Sequence, residues 1–295
     1  MNILICVAGM PYSVPTVQFG GLVARLTGAN VVILNVEGVE AQSAAGESTL
    51  ATAHDMLGDL DAQTKTTHGA PGPEILSEAR AGGYDLVVVG ASDVLSIGEL
   101  LTGSIARRAV RRLQESVLVV RIGRPALQKM LICTAGRAED LPVIQMGGAL
   151  AQAAGAHVTL MHVSGPVPSM YQGLRVMKEE LAELLRTDTP VAVHLREGAA
   201  LLRQQGLRTD LKLRRGTVAS EILREADEGD YDLIAVGATR SDRQAGDLLT
   251  VDVTRQVVDR ALRPVLVVHR ELQSRSLSLS NLWRALVQAG RREKS

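Results

Sequence analysis

The chain is poor in aromatic residues and carries no net charge, and each shortage excludes a class of function. Its 295 residues include one Trp, one Phe and four Tyr. Proteins that bind single-stranded nucleic acid stack an aromatic ring on each base, and this chain has too few rings for that. Basic and acidic residues number 32 each, so no overall field attracts a polyanion. We therefore expect no nucleic-acid partner.

Long apolar runs and cysteines are also scarce. No stretch reaches the roughly 18 uninterrupted apolar residues of a membrane span. A strand-like run begins at residue 2, where a signal peptide would otherwise lie. Cys6 and Cys133 each lie inside an apolar run, which favours buried, inert thiols over a disulfide. These features predict a cytoplasmic protein without a transmembrane segment.

The chain does contain a long internal repeat. The run ILICVAG at residues 3–9 returns as MLICTAG at residues 130–136. Tyr84-Asp85-Leu86 and the run VLVV at 117–120 return in the same order at 231–233 and 265–268. A repeat of this length fits a whole domain. We predict one domain over residues 1–125, a second over 126–270, and a tail over 271–295 that either forms a short helix or frays.

Each copy alternates apolar runs with segments of helical spacing. In the first copy the runs predict strands at 2–7, 31–36, 63–68, 86–89 and 117–121, and the spacing predicts helices at 14–27, 43–60, 73–80 and 104–113. Strands separated by helices of this length are joined by crossovers, which make neighbouring strands parallel. The second copy repeats this order with an insertion that predicts helices at 170–186 and 199–205. The sequence thus predicts two tandem α/β domains with helices on both faces of a parallel sheet.

Ligands of such sheets bind beyond the carboxyl ends of the strands. There the first copy has Gly90-Ala91-Ser92-Asp93, followed after nine residues by Gly103-Ser104 at a predicted helix start. Glycines let backbone amides approach an anion, and a helix start offers unpaired N–H groups. The alternative is that these glycines serve only the turn. Neither a phosphate loop with lysine nor GxGxxG after the first strand is present.

The opening strand, the Tyr-Asp-Leu run, the glycine signature and the closing strand, found twice in one order, resemble tandem members of the universal stress protein family. The resemblance implies a doubly wound five-stranded sheet of order 3-2-1-4-5 in each domain. It also implies that the two domains pair through their last strands as a pseudo-dimer. A further homodimer remains open. Some family members bind ATP through the glycine signature, whereas others bind no nucleotide.

The resemblance further implies ATP or ADP, with Mg²⁺, as the cofactor of the first domain. The implied contacts are Ala8, Val36, Gly90, Asp93, Gly103, Ser104 and Ile105. Ala8 stands where the family's ATP binders have aspartate, and Asp93 replaces the signature's second glycine. A carboxylate about 4 Å from a phosphate costs up to about 4 kcal/mol at an effective dielectric constant near 20. Asp93 therefore either opposes binding or helps to hold Mg²⁺.

The second copy departs further from the signature. Gly237-Ala238-Thr239-Arg240 is followed by Val251-Asp252 in place of Gly-Ser. No metal-ligand spacing links the six histidines, and no GxSxG motif is present. We expect a non-catalytic stress-response module that binds an adenine nucleotide in its first domain only. A nucleotide-free scaffold and a weak ATP hydrolase are the alternatives.

Overall fold

A computed structural model of the chain describes residues 1–38, 43–91, 105–122, 124–165, 181–238 and 248–269. In this part of the chain strands and helices alternate. The strands are β1 (Asn2–Val7), β2 (Asn30–Glu37), β3 (Ala62–His68), β4 (Leu86–Gly90), β5 (Ser116–Val120), β6 (Lys129–Thr134), β7 (His157–Ser164), β8 (Thr209–Arg215), β9 (Leu233–Ala238) and β10 (Val265–His269). The helices are α1 (Val14–Thr27), α2 (Ser43–Leu57), α3 (Pro71–Gly82), α4 (Ile105–Arg112), α5 (Leu141–Ala154), α6 (Leu181–Leu184), α7 (Pro190–Gln204), α8 (Val218–Glu228) and α9 (Leu248–Arg260). A 3₁₀ turn, Ala138–Asp140, precedes α5.

All ten described strands form one sheet of order β3-β2-β1-β4-β5-β10-β9-β6-β7-β8. Within each half every pairing is parallel. Each half therefore has the order 3-2-1-4-5, which confirms the predicted fold class. The halves meet where β5 and β10 pair antiparallel, with Leu118 opposite Leu266.

The hydrophobic cores continue across this junction. On the α1 side of the sheet, Val23 and Leu118 of the first half belong to the same buried cluster as Leu150 and Leu266 of the second. A second cluster on the opposite side likewise contains residues of both halves. Helices α1 and α5 pack against each other above the paired strands. Burial thus joins the two halves into one hydrophobic interior.

The aspartate of the repeated Tyr-Asp-Leu motif fixes the start of a neighbouring strand. Asp85 accepts a hydrogen bond from the amide of Asn2 at 2.8 Å. Asp232 accepts from the amides of Gln128 and Lys129 at 2.8 and 3.0 Å. These amides lie at or next to the first residues of β1 and β6, just before those strands begin to pair with β4 and β9. The repeated aspartate thus links two neighbouring strands in each half.

The tyrosine of the motif anchors a buried glutamate. Tyr84 donates to Glu78 at 2.8 Å, and Lys65 donates to the same carboxylate at 2.6 Å. The second half repeats the trio as Tyr231, Glu225 and Lys212. Burial raises the pKa of Glu78, but the hydrogen bonds from Lys65 and Tyr84 outweigh it and leave that pKa below its ordinary value.

The inserted region differs from the sequence-based expectation. The helix predicted at 199–205 begins earlier, at Pro190, because Thr189 caps the amide of Ala192 and proline suits a first helical turn. Of the helix predicted at 170–186, only residues 181–186 are described. The predicted tail, 271–295, lies outside the described residues.

Two further properties of the described residues concern the cysteines and the helices. Cys6 and Cys133 are free and buried, and burial raises the pKa of both thiols. None of the helices in the described ranges is both long and apolar enough to span a membrane.

The shared interior predicts that the two halves unfold together. Leu118 is 1% exposed at the junction, so Leu118→Ala should lower the free energy of unfolding by about 2–5 kcal/mol. We expect circular dichroism to record a single urea-unfolding transition, whose midpoint shifts to a lower urea concentration in the variant. Ile122→Ala is the control, because Ile122 is 61% exposed and should change little. Two separate transitions, only one of them shifted, would contradict a shared interior.

The Glu78 network predicts a pH-dependent contribution to stability. Because its folded pKa lies below the unfolded value of about 4.3, the carboxylate stabilises the fold fully above that value. That stabilisation is lost as the pH falls through the folded pKa. Glu78→Gln should therefore lower the melting temperature at pH 7, by an amount that shrinks below about pH 4. The exposed Glu47→Gln is the control, and a difference that stays constant with pH would refute the assignment.

Candidate functional site

The predicted site residues that the structure describes lie along the carboxyl edge of the first half. Ala8 directly follows β1, Val36 is the penultimate residue of β2, and Gly90 ends β4. Ile105 is the first residue of α4. Strand β1 lies between β2 and β4, which is where a doubly wound sheet reverses strand order and binds ligands. Asp93, Gly103 and Ser104 lie outside the described residues.

The turn after β1 is held by Ser13. Its hydroxyl accepts a hydrogen bond from the amide of Ala8 at 2.9 Å, and its own amide donates to the carbonyl of Gly9 at 3.0 Å. Ser13 is 5% exposed. The turn that carries Ala8 is therefore closed by a neutral side chain.

Gly90 is required by close packing. A Cβ at this position would lie 2.9 Å from the hydroxyl oxygen of Thr16 on α1, which is closer than real Cβ contacts allow. The next amide, of Ala91, donates to the carbonyl of Val120 at 2.9 Å. Packing of α1 over β4 thus accounts for this glycine even without a ligand.

Strand β2 ends in polar side chains that sequence reasoning did not single out. Glu37 is 6% exposed, and among the described residues neither of its carboxylate oxygens has a hydrogen-bond partner. The Nε2 atom of His68, at the end of β3, lies 3.3 Å from Oε2. Asn35, two residues earlier on the same face of the strand, is also buried. The sequence feature that could have revealed this position is a glutamate at the end of an apolar strand, directly before Gly38.

The second half has a charged residue where the first has Ser13. Asp140 is 2% exposed, and its Oδ2 accepts from the amide of Ala135 at 2.7 Å and from the hydroxyl of Thr134 at 2.8 Å. Nε2 of His194 lies 3.0 Å from the same hydroxyl oxygen, which also accepts from the amide of Gly136 at 2.9 Å. This cluster closes the carboxyl end of β6.

The hydrogen bonds in this cluster fix where its protons lie. The single hydroxyl hydrogen of Thr134 is donated to the carboxylate of Asp140, so His194 must donate through Nε2–H. His162 must likewise donate through Nδ1, because its partner at 3.0 Å is the carbonyl of Thr134. Burial lowers the pKa of His194, and the nearby charge of Asp140 raises it by a smaller amount. The net lowering favours the neutral ring.

This proton arrangement is the reverse of that in a catalytic triad. A histidine that activates a hydroxyl must accept its hydrogen, whereas His194 donates to Thr134. Among the described residues, no group of three His, Cys, Asp or Glu side chains is placed to hold a metal ion. Sequence reasoning examined His162 and His194 only for metal-ligand spacing. Their contacts with Thr134 join residues 28 and 60 positions apart, which no local pattern reveals.

Helix α9 starts at Leu248, earlier than the first half suggested. Asp252, which stands in place of the serine of the signature, therefore lies inside this helix and not at its first residue. Gly237 and Ala238 end β9, and Thr239 and Arg240 lie outside the described residues.

Comparison with known proteins gives matches at the level of family and fold. The universal stress protein family model matches twice, over residues 1–121 and 126–269. A search of curated proteins gave no significant match. A universal stress protein from Archaeoglobus fulgidus DSM 4304 is 14% identical with a TM-score of 0.67, over 91% of this chain and 96% of that one. A putative universal stress protein from Pseudomonas aeruginosa UCBPP-PA14 is 17% identical with a TM-score of 0.67, over 97% of both chains.

At these identities the solved structures support the fold alone. The family rests on the two model matches, which together cover most of the chain and coincide with the two halves of the sheet. The chain therefore belongs to the universal stress protein family and carries two copies of the family domain in tandem.

Proposed function

We propose that this protein is a non-catalytic stress-response module that binds an adenine nucleotide, with Mg²⁺, at the carboxyl edge of its first half. The observation that carries the proposal is the difference between the two turns that follow β1 and β6. A neutral serine, Ser13, closes the first turn, whereas the carboxylate of Asp140 closes the second. Only the first edge is free of a buried negative charge at this position.

A buried carboxylate at this turn would weaken the binding of a phosphate placed beside it. A phosphate about 4 Å from a carboxylate is opposed by about 4 kcal/mol at an effective dielectric constant near 20, or about three decades in affinity. Asp140 is committed to Thr134 and Ala135 and is enclosed. The second half therefore serves as the structural partner in this proposal.

The two halves act, in this proposal, as a pseudo-dimer. Its support is the antiparallel pairing of β5 with β10 and the buried clusters that contain residues of both halves. Across the same junction Arg107 pairs with Asp259 at 3.2 Å, and Arg121 donates to the backbone carbonyl of Asp259 at 3.1 Å. Nucleotide binding in one half can thus be sensed by the other through a shared interior.

The hydrogen bonds of the Thr134 hydroxyl favour a non-catalytic role. The hydroxyl of Thr134 donates its hydrogen to Asp140, and the ring of His194 donates to this hydroxyl and does not accept from it. This supports binding over hydrolysis as the activity. Release of inorganic phosphate from ATP well above the buffer background would instead favour the weak hydrolase.

Substitutions that exchange Ser104 and Asp252, the corresponding residues of the two halves, test the binding site. ATP or ADP with Mg²⁺ should raise the melting temperature of the full chain, by an amount equivalent to about 2.7 kcal/mol at a hundredfold excess over Kd. Ser104→Asp, which introduces the residue found at 252, should abolish the rise because the carboxylate repels phosphate. The measurement is thermal unfolding with and without nucleotide.

The reciprocal variant, Asp252→Ser, is the matched control and should leave the nucleotide-dependent rise unchanged. Absence of a rise in the unaltered protein at millimolar nucleotide would reject nucleotide binding and favour the nucleotide-free scaffold. If both variants lost the nucleotide-dependent rise in melting temperature equally, the site would not be confined to the first half.

A further inference from the structure

Two buried histidines of the second half contact the same residue, Thr134. The ring of His194, on α7, donates through Nε2 to the Thr134 hydroxyl at 3.0 Å. The ring of His162, on β7, donates through Nδ1 to the Thr134 carbonyl, also at 3.0 Å. His194 is 7% exposed and His162 is 9% exposed. Two titratable rings from different elements are therefore held close together inside the fold.

The first half forms the same arrangement of strands with neutral side chains. Thr134 pairs with His162 across β6 and β7, and the residues that pair at this point of β1 and β2 are Val7 and Asn35. The turn that follows β1 is closed by the hydroxyl of Ser13. These side chains do not change their charge near neutral pH.

The helices of the two halves correspond in the same way. Leu57 of α2 and Leu202 of α7 fill the space beside a glycine of α1 and of α5, respectively. Thr49 and His194 each lie eight residues before these leucines, and both are buried. The fold therefore forms at this position with a threonine as well as with a histidine. The two rings are a property of the second half and not a requirement of the domain.

The charge of His194 is governed by burial and by groups on the elements around α7. Four groups act on the ring, from the turn before α5, from α7 itself and from β7: Asp140, Glu139, Glu197 and His162. Helix α5, which packs against α7, has no titratable side chain. On β8, Arg215 lies on the same face as the buried side of Leu213, at the same end of the sheet. Burial outweighs the carboxylates, so the pKa of His194 lies below its ordinary value.

We propose that His162 and His194 form an acid-sensitive latch, which holds the first turns of α7 on the second carboxyl edge at neutral pH and releases them when the rings are protonated. Each ring already donates one N–H, so an added proton goes to Nδ1 of His194 or to Nε2 of His162. Neither of these nitrogens has a hydrogen-bond partner among the described residues. Two cationic rings would also repel each other, and the single carboxylate of Asp140 compensates one of them at most. The latch does not depend on the proposed nucleotide site, which lies in the other half.

The direction of the pH effect follows from the lowered pKa of His194. Because this pKa lies below the unfolded value of about 6.5, the released ring binds a proton more readily than the buried one. The latch is therefore fully closed above about pH 6.5 and loosens as the pH falls below that value. Ordinary carboxylates, whose pKa values lie near 4, are still ionised at about pH 5.5. A transition between these limits thus reports on histidine.

Hydrogen exchange of the full chain, followed by mass spectrometry, tests the latch. Between about pH 7.5 and about pH 5.5 the amides of α7 should lose protection by a factor of at least about five, after correction for the intrinsic exchange rate. Helix α2 occupies the equivalent place in the first half and should keep its protection. This internal comparison uses the unaltered protein, so it does not depend on whether a variant folds.

The double variant His162→Asn with His194→Thr introduces the residues of the first half and should abolish the response of α7 to pH. The control is His54→Gln, because His54 is exposed on α2, and it should leave the response unchanged. Equal protection of α7 at both pH values would overturn the latch, and so would an equal loss of protection in α2 and α7. A response that persists in the double variant would assign the effect to another group and overturn the role of the histidines.

Discussion

The antiparallel pairing of β5 with β10 is the interaction on which the rest of the molecule depends. It turns two five-stranded sheets into one sheet of ten strands. Without it, Leu118 and Leu266 would lie on exposed edges, and unpaired edges invite association with other chains. Because apolar side chains from both halves bury one another around this seam, neither half has a complete interior of its own. The two copies of the domain thus share one sheet with two carboxyl edges.

Most of the fold could be predicted from sequence, because its causes are local or repeated. Apolar runs identify strands such as β1 and β4, and the intervening helical spacing requires parallel crossovers. The start of α7 at Pro190 was missed because a cap by Thr189 gives a weak signal in a region with no counterpart in the first half. The site was less predictable. The sequence correctly predicted that Ala8, Val36 and Gly90 lie at one edge of the sheet. The contact of Thr134 with His194, however, depends on how α7 packs. Contacts of that kind follow from tertiary structure alone.

Two corresponding turns make the same backbone-to-side-chain hydrogen bond with side chains of different chemistry. The amides of Ala8 and Ala135 both donate to the side chain that stands five residues later, a hydroxyl in one half and a carboxylate in the other. The carboxylate then orders Thr134 and His194, and the edge becomes a closed hydrogen-bonded network. A saturated polar network of this kind rigidifies its surroundings. One half can thereby secure the shared sheet while the other edge stays free for a ligand.

Two of the buried glutamates of the first half, Glu37 and Glu78, differ in how the fold compensates their charge. Glu78 is 9% exposed and receives hydrogen bonds from Lys65 and Tyr84, and the same trio recurs in the second half. Its burial is compensated within the fold, and its recurrence follows from that structural role. Glu37 is equally buried but receives no hydrogen bond from the residues that the structure describes, and Ser164 stands at its position in the second half. The charge of Glu78 is thus compensated by partners that recur in both halves, whereas that of Glu37 is opposed by the half-exposed His68.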